Sequence, residues 1–392
     1  NLYLSNNKSL TIGTIGSTSG LSAASTARVE ASGFITLNQA FSVTQNDGLL
    51  NALGGSLTLN ASVTSGRDLS LLASANINQN ANVSAGRTLD IEASDGAFSM
   101  LNGVTATAVG NARVVADTSI LLGGLTAANA SLIAGDWIDT AGSTHLDISA
   151  NGVQLSAGSF IGQAQGEGNG PLRTSINSLA ASADSGSIYL SNNKSLSIDS
   201  VAAIAVNRVQ IDGTSAVISG TTMGGLDADG VVKIALAGSL TLNSAITASA
   251  DDLLLHATAG SITLNAAVVS GGSITILAST AVSLGTNSSI VAAGSLDLQA
   301  TSGAVTMSDG ATATSTGNMR ILASGDIRLG GLVAANAYLN AGGAIIDNGD
   351  SHTDIQANQI QLVAAGAIGQ AQGSGFGLLD IDAKALPAQA GA

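Results

Sequence analysis

The chain has 392 residues, of which 10% are charged, 45% are hydrophobic and only 2% are aromatic, with no cysteine and a formal net charge of −14. The missing cysteines exclude disulfides and thiolate metal sites, and so acidic a surface repels phosphate backbones, which argues against a nucleic-acid partner. No apolar run approaches the roughly 18 residues of a membrane-spanning helix, so we expect no membrane insertion, and any secretion signal is expected outside these residues.

A short phrase of alternating apolar and polar residues organises the sequence. In Gly238–Asn243, Leu240 and Leu242 flank Thr241, and an asparagine follows. An extended backbone points alternate side chains to opposite faces, so the two leucines are predicted to face inward and the threonine outward. Relatives of this phrase occur at Ile35–Asn38, Leu57–Asn60 and Ile262–Asn265.

The chain contains a long internal duplication. Tyr3–Leu10 recurs unchanged as Tyr189–Leu196, an offset of 186 residues. The offset has risen to 205 by Leu240, so 19 residues are inserted between the end of this match and that leucine. We predict two repeat units, residues 1–186 and 187–392, in one continuous solenoid with about one extra coil in the second unit. Because neither end resembles a cap, we expect the two units to belong to a longer array.

Inward apolar pairs predict the arrangement of strands within each unit. They form two interleaved series, with a weaker third through Ile290 and Leu332, and helical spacing is not sustained anywhere. We therefore predict an all-β parallel solenoid with coils of 19 to 23 residues and two or three faces. In the second unit the first series is Leu253/Leu255, Ile274/Ile276, Leu296/Leu298 and Met319/Ile321, and the second is Ile262/Leu264, Val282/Leu284, Val305/Met307 and Ile327/Leu329.

Glycine and asparagine are predicted to occupy the corners between strands. These corner residues are Gly54, Gly55 and Asn60 in the first unit and Asn265, Gly271 and Gly272 in the second. Both residue types tolerate positive φ better than other residues. We expect them to adopt that conformation where the coil turns.

The repeats resemble those of a known protein family. Phrases of the Gly238–Asn243 type, a period of approximately 20 residues, an acidic balance and scarce proline and cysteine are similar to the central shaft of filamentous haemagglutinin-like adhesins. The resemblance covers essentially the whole chain and implies a right-handed parallel β-helix, secretion across an outer membrane by the two-partner route, and adhesion or biofilm-matrix work. The family's amino-terminal secretion signature contains Asn-Pro, which is not matched here, because Pro171 and Pro387 follow glycine and leucine.

The densest cluster of chemically active side chains is Asp136–Asp139 with His145 and Asp147. It could present carboxylates and a tryptophan to a sugar. However, the second copy retains only His352 and Asp354, so we interpret the cluster as a solvated turn rather than a repeated catalytic site.

Metal binding is also disfavoured. Asp227-Ala-Asp229-Gly230 resembles part of a calcium loop but lacks the downstream glutamate. Neither His145 nor His352 has a second histidine or cysteine at a metal spacing. We assign no catalytic, cofactor-binding or metal-binding residue, and no cofactor.

Turns and loops are the expected contact surfaces. Ser5–Lys8 and Ser191–Lys194 are predicted to be tight turns, and Gln165–Gly170 and Gln372–Gly377 to be extended loops rather than phosphate-binding loops. All four could contact a partner.

Two other classes of function fit the residues less well. A carbohydrate-active β-helix needs aromatic subsites, and the chain has 1 Trp. An ice-binding solenoid needs uniform threonine ranks, and the outward residues Thr241, Thr263, Thr275, Asp297 and Arg320 lose that uniformity.

We therefore predict a non-enzymatic structural segment of a secreted, cell-surface bacterial adhesin or biofilm-matrix filament. The alternative is a carbohydrate-binding or carbohydrate-active β-helix protein. The expected partners are neighbouring repeats of the same chain, with sister filaments, extracellular polysaccharide or a host cell surface as further candidates.

Overall fold

The computed structural model describes residues 1–142, 144–349, 352–370 and 377–391. These residues form 53 strands and no helix, and therefore no helix that could cross a membrane. The chain divides into two compact units: unit 1 is Asn1–Asp184 with Val201–Met223, and unit 2 is Ser185–Ser200 with Gly224–Ala392. The predicted all-β parallel solenoid is confirmed, with about 17 turns in total.

Unit 1 contains three series of parallel strands, which we call faces A, B and C. Face A carries the longer strands, and each strand pairs in register with the next strand of its own face. Its strands are Leu2–Asn6, Ala27–Ala31, Gly48–Ala52, Leu69–Ala73, Leu89–Ala93, Ala112–Ala116, Asn129–Ala134, Gly152–Ala157 and Ser178–Ala183. Face B has Leu10–Ile12, Ile35–Leu37, Leu57–Leu59, Ile77–Gln79, Phe98–Met100, Ile120–Leu122 and Ile138–Thr140. Face C has Leu21–Ala23, Phe41–Val43, Val63–Ser65, Val83–Ala85, Ala106–Ala108, Leu125–Thr126, Ile148–Ser149 and Leu172–Ser175, and Thr14–Ile15 and Thr18–Ser19 form a small antiparallel hairpin between faces B and C.

Unit 2 has the same three faces. Its face A consists of Ile188–Asn192, Val232–Leu236, Leu253–Ala257, Ile274–Ala278, Leu296–Ala300, Asn318–Ala323, Asn336–Ala341, Ile355–Ala364 and Ala388–Ala390. Face B consists of Leu196–Ile198, Leu240–Leu242, Ile262–Leu264, Val282–Leu284, Val305–Met307, Ile327–Leu329 and Ile345–Asp347. Face C consists of Leu226–Ala228, Ile246–Ala248, Val268–Ser270, Ser289–Ala292, Thr312–Ser315, Gly331–Val333 and Ile381–Ala385, and the first residues of Ile355–Ala364 also lie on it.

The core is a set of aliphatic columns enclosed by the three faces. Leu240 and Leu242 are buried and Thr241 is half-buried, as the alternation predicts. The two predicted series of inward pairs occupy faces A and B, and the weaker series through Ile290 and Leu332 is a complete third face. Parallel pairing in strict register therefore stacks like residues on like residues from coil to coil.

The corners turn without positive φ at the residues predicted to have it, so that expectation is wrong. No described residue other than glycine has positive φ, and Gly54, Gly55, Gly271 and Gly272 are not among the glycines that do. Glycine is required at Gly271 by close approach instead, because a Cβ atom there would lie 2.2 Å from the carbonyl oxygen of Ser249. Asn60 is placed by an amide ladder: it donates to Asn38 Oδ1 at 2.9 Å and accepts from Asn80 at 2.8 Å.

The 19-residue insertion is not an additional coil of unit 2. Ala205–Val209 and Ser215–Ser219 pair antiparallel as a β-hairpin, and short strands Ser200–Val201 and Met223–Gly224 stand at its two ends. Residues 201–223, here called the hairpin, pack within unit 1. The insertion therefore extends a turn between faces B and C, which in the first copy holds only the small hairpin Thr14–Ser19.

The outward residues that we placed in one rank belong to two faces. Thr241 and Thr263 lie on face B, where Ser283 and Thr306 continue the rank. Thr275, Asp297 and Arg320 lie together on face A.

Candidate functional site

A buried polar cluster occupies the corner between faces B and C near the end of the first repeat. Thr140 Oγ1 donates to Asp147 Oδ1 at 2.6 Å, and the Arg173 backbone N–H donates to Asp147 Oδ2 at 2.6 Å. His145 Nε2 lies 3.1 Å from Asp147 Oδ1, and Gln163 Nε2 donates to Asp139 Oδ2 at 2.6 Å. The structure thus brings together Asp139, His145 and Asp147, which the sequence singled out. The interpretation of this cluster as a solvated turn is wrong, because Asp139 and Asp147 are buried.

Burial changes the chemistry of the two carboxyls. Burial raises the pKa of Asp139 and of Asp147, even though hydrogen bonds and the Arg173 guanidinium favour the charged forms. A raised carboxyl pKa is a feature of general acids. However, Asp147 is fully buried, and its two oxygens accept hydrogen bonds from Thr140 and Arg173. The polar groups of the cluster therefore bind one another and hold the loop in place.

Trp137 lies outside this cluster and stacks on Phe160. Their ring centroids are 5.9 Å apart and the ring planes differ by 6°. Both side chains are half-buried, and Ser159 donates to the neighbouring Asp136 at 2.8 Å. The pair is a small, partly exposed aromatic ladder beside an exposed carboxylate.

The second copy replaces the cluster rather than repeating it. Asp347 stands at the position of Thr140, and Asp380 at that of Arg173. Asp354 accepts from the Asp380 backbone N–H at 2.7 Å, and His352 Nδ1 lies 4.0 Å from Asp309. No group of three or more metal-ligating side chains occurs among the described residues. Asp227 is exposed on the face C strand Leu226–Ala228, and Asp229, which directly follows that strand, is also exposed.

The predicted tight turns are present in both copies. Asn6 Nδ2 donates to the carbonyls of Lys8 and Ser9 at 2.9 and 3.1 Å, and Asn192 Nδ2 donates to that of Lys194 at 2.9 Å.

The loop Gln165–Gly170 is built of turns rather than extended. Gly166, Gly168 and Gly170 have positive φ, and Asn169 Nδ2 donates to Thr140 O at 2.9 Å. In Gln372–Gly377, residues 372–376 lie outside the described part of the chain.

A set of specific side-chain contacts within unit 1 seats the hairpin. The seat is the rank of outward residues on face A: Tyr3, Arg28, Leu49, Ser70, Asp90, Arg113, Ser131, Gln154 and Ala180. Outward residues of a solenoid are ordinarily solvated, but Asp90 and Ser70 are 0% exposed and Leu49 is 1% exposed. The hairpin covers this rank from Arg28 onward, whereas Tyr3 at its end is 50% exposed.

Four charges meet at the centre of the seat. Arg208 Nε donates to Asp90 Oδ2 at 2.6 Å, and Arg208 Nη2 donates to Glu92 Oε2 at 2.6 Å. Arg113 Nη1 reaches Asp90 Oδ1 and Glu92 Oε2 at 2.8 Å each. Burial alone would raise the pKa of Glu92, but hydrogen bonds from Arg208 and Arg113 outweigh it and hold the pKa below its usual value. The buried Asp90 and the half-buried Glu92 are therefore matched by two guanidiniums.

Amide side chains hold the hairpin backbone on either side of the charges. Gln154 Nε2 donates to the carbonyls of Val201 and Thr221 at 2.9 Å each, and Asn111 Nδ2 donates to Ala205 O at 2.9 Å. At the far end, Arg28 Nη1 donates to the carbonyls of Gln210 and Thr214.

Apolar and hydroxyl contacts complete the seat. Val201 and Ile204 pack on Ala180, and Met223 adds to this small core. The backbone N–H of Val209 donates to Ser70 Oγ at 2.8 Å, and that of Asn207 to Thr88 Oγ1 at 3.0 Å.

Comparisons with protein-family models, curated proteins and solved structures return no match to this chain.

The sequence analysis did not predict the seat, although the sequence contains a signal for the hairpin. Asp212-Gly213 is a turn dipeptide between two runs of alternating residues, which is typical of a β-hairpin. Gly213 has φ +100°, and Thr214 donates to Asp212 Oδ1 at 2.7 Å. No comparable signal reports where the hairpin packs.

Proposed function

We propose that this chain is a non-enzymatic structural repeat segment of a secreted bacterial surface adhesin or biofilm-matrix filament. The observation that carries the proposal is the unbroken register of the faces within each unit. In unit 2, every face B strand from Leu240–Leu242 to Ile345–Asp347 pairs with the next one. Each coil buries its inward aliphatics, each of which contributes about 1.5–3 kcal/mol of transfer free energy. Such a segment supports load without a reactive centre.

The two most specific polar constellations support this proposal because each is used to brace the fold. Asp139 and Asp147 accept hydrogen bonds from neighbouring side chains and backbone at the corner of their coil. Asp90 is paired with Arg208 beneath the hairpin. A catalytic carboxylate would need access to a substrate. The buried polar cluster and the seat instead bind one part of the chain to another.

Electron microscopy of the secreted parent protein on intact cells tests the proposal. Antibodies against the exposed side of the hairpin, where Val217 is 69% exposed, should decorate surface filaments at regular intervals. Filaments without that labelling, or labelling confined to the cell interior, would contradict the surface-filament assignment. Stretching single molecules should also show resistance in steps that correspond to coils.

A carbohydrate-binding role remains as a second candidate because of the Trp137 and Phe160 ladder. Partly exposed aromatic faces beside a carboxylate are suited to stacking on sugar rings. A polysaccharide panel separates the possibilities: retention on a glycan that is lost in Trp137→Ala but kept in Tyr189→Ala would favour binding. Release of reducing ends or unsaturated products would instead indicate an enzyme.

A further inference from the structure

Unit 2 carries a second rank with the chemistry of the hairpin seat. The outward residues of its face A are Tyr189, Lys233, Leu254, Thr275, Asp297, Arg320, Tyr338, Gln361 and Pro387. The seat residues Asp90, Arg113 and Gln154 have identical counterparts in Asp297, Arg320 and Gln361. The cation Arg28 is replaced by the cation Lys233, and Ala180 by the apolar Pro387. Three separate types of contact that hold the hairpin are thus present again.

The asparagine side chain that donates to the hairpin in unit 1 has a counterpart in unit 2 that is oriented by the same hydrogen bond. In unit 1, Asn129 Nδ2 donates to Asn111 Oδ1 at 3.0 Å, which leaves the Asn111 amide free to donate to the hairpin carbonyl of Ala205. In unit 2, Asn336 Nδ2 donates to Asn318 Oδ1 at 2.9 Å. Among the residues that the structure describes, the side-chain amides of Asn318 and Gln361 donate no hydrogen bond.

The second rank is open where the seat is covered. Asp90 and Gln154 are 0% and 5% exposed, whereas Gln361 is exposed and Asp297 is half-buried. Along the second rank lies a groove of about 550 Å³, lined by Asn318, Arg320, Tyr338, Gln361 and Pro387 among others. The polar and apolar groups of the groove follow one another along face A in the same order as the seat residues that bind the hairpin in unit 1.

We propose that this groove is a docking site for a β-hairpin with the chemistry of Val201–Met223, carried by a further copy of the second repeat. The occupant offers its backbone carbonyls to Asn318 and Gln361, an arginine to Asp297, and apolar residues to Tyr338 and Pro387. The inference depends on the internal duplication and on the contacts of unit 1. It holds whether or not the chain belongs to an adhesin.

One difference between the two ranks affects the strength of binding. Glu92, which binds Arg208 together with Asp90, corresponds to Gln299, so an incoming arginine meets one carboxylate instead of two. Asp297 already accepts from Arg320 Nε at 2.9 Å and Nη2 at 2.5 Å, and an incoming arginine must share it. We therefore expect the groove to bind its hairpin less tightly than the seat does, with the amides supplying more of the specificity.

A cyclised synthetic peptide of residues 201–223 tests the groove on the intact chain. Fluorescence anisotropy should show one saturable site, and Asn318→Ala and Gln361→Ala should each weaken binding about fivefold to tenfold, the effect of one hydrogen bond. Thr263→Ala, on face B, is the matched control and should leave binding unchanged. Binding that responds to Asn111→Ala and Gln154→Ala but not to the groove variants would mean exchange with the resident hairpin, and would overturn the proposal.

A tethered format answers the case in which the free peptide does not form a hairpin. Residues 187–392 are repeated once more after the intact chain, and amide hydrogen exchange is measured in the added copy of Ala205–Val209. We expect protection that Gln361→Ala reduces at least fivefold. Rapid exchange of the added hairpin in the unsubstituted chain, together with no peptide binding, would show that the groove is not its docking site.

Discussion

Arg208 donates its Nε–H to Asp90 Oδ2 at 2.6 Å, across 118 positions of sequence. Asp90 is outward-facing on its strand and yet its side chain is 0% exposed, because the hairpin that carries Arg208 covers it. The contact joins a residue of the first repeat to an insertion that, by sequence, lies within the second repeat. An insertion into one repeat has therefore become part of the fold of the other.

Arg208→Ala should release the hairpin from its seat. The substitution leaves Asp90 with Arg113 alone, and breaking a buried ion pair on one side costs roughly 3–5 kcal/mol. We expect the backbone amides of Asn207 and Val209 to lose most of their protection from hydrogen exchange. Arg320→Ala is the matched control, because its pair with Asp297 is half exposed and such pairs contribute at most about 1 kcal/mol. Equal effects of the two substitutions would contradict a special role for the seat.

As the pH falls, the hairpin should detach from its seat before the buried polar cluster around Asp147 opens. The pKa of Glu92 is lowered in the folded state, so its stabilising contribution is present above its unfolded value of 4.5 and is lost as the pH falls through the folded pKa. The pKa values of Asp139 and Asp147 are raised, so the folded state holds their protons more tightly, and lowering the pH removes the cost of burying their charges.

Hydrogen exchange across a pH series, corrected for intrinsic rates, measures this order. The Val209 amide should keep constant protection between about pH 8 and 5 and lose it below about 4.5, near the unfolded pKa of a glutamate. Glu92→Gln should weaken protection at neutral pH and flatten its dependence on pH. Loss of protection at Thr140 before Val209 would show that the two clusters respond to acid in the opposite order.

Gly271→Ala should destabilise unit 2 although the φ of Gly271 is not positive. The new methyl carbon would lie 2.2 Å from Ser249 O in the coil below, and the two corners would have to separate. We expect a loss of about 1–3 kcal/mol in the free energy of unfolding in urea. Gly13→Ala, where nothing lies within 4 Å, is the control and should stay within about 0.5 kcal/mol. A neutral result at Gly271 would mean that the corner adapts.

Leu242→Ala tests the aliphatic columns directly. Leu242 is fully buried and pairs in register with Ile198 and Leu264, so truncation leaves a cavity that the neighbouring coils cannot fill. The expected loss is about 2–5 kcal/mol, measured by urea denaturation. Thr241→Ala, whose side chain points outward from the same strand, should cost less than about 1 kcal/mol. Comparable losses at both positions would be incompatible with an inward column.

The buried polar cluster was only partly predictable from the sequence. Asp139, His145 and Asp147 were recognisable as a cluster because they are close in the chain. Arg173 and Gln163, which complete it, belong to the next coil, and nothing in their local sequence reports that they stack on those residues. The raised carboxyl pKa values follow from that stacking, since burial is a property of the assembled coils.

The amino-acid sequence by itself determined the strands, their inward residues and the parallel register of each face. It could do so because side chains alternate with a period of two and each coil rests on a copy of the same pattern, so local information repeats along the chain. Only the tertiary structure decided the fate of the insertion. Its place depends on Ser70, Asp90 and Gln154, which lie up to 139 positions away from the residues they hold, and no periodicity links an inserted segment to so distant a surface.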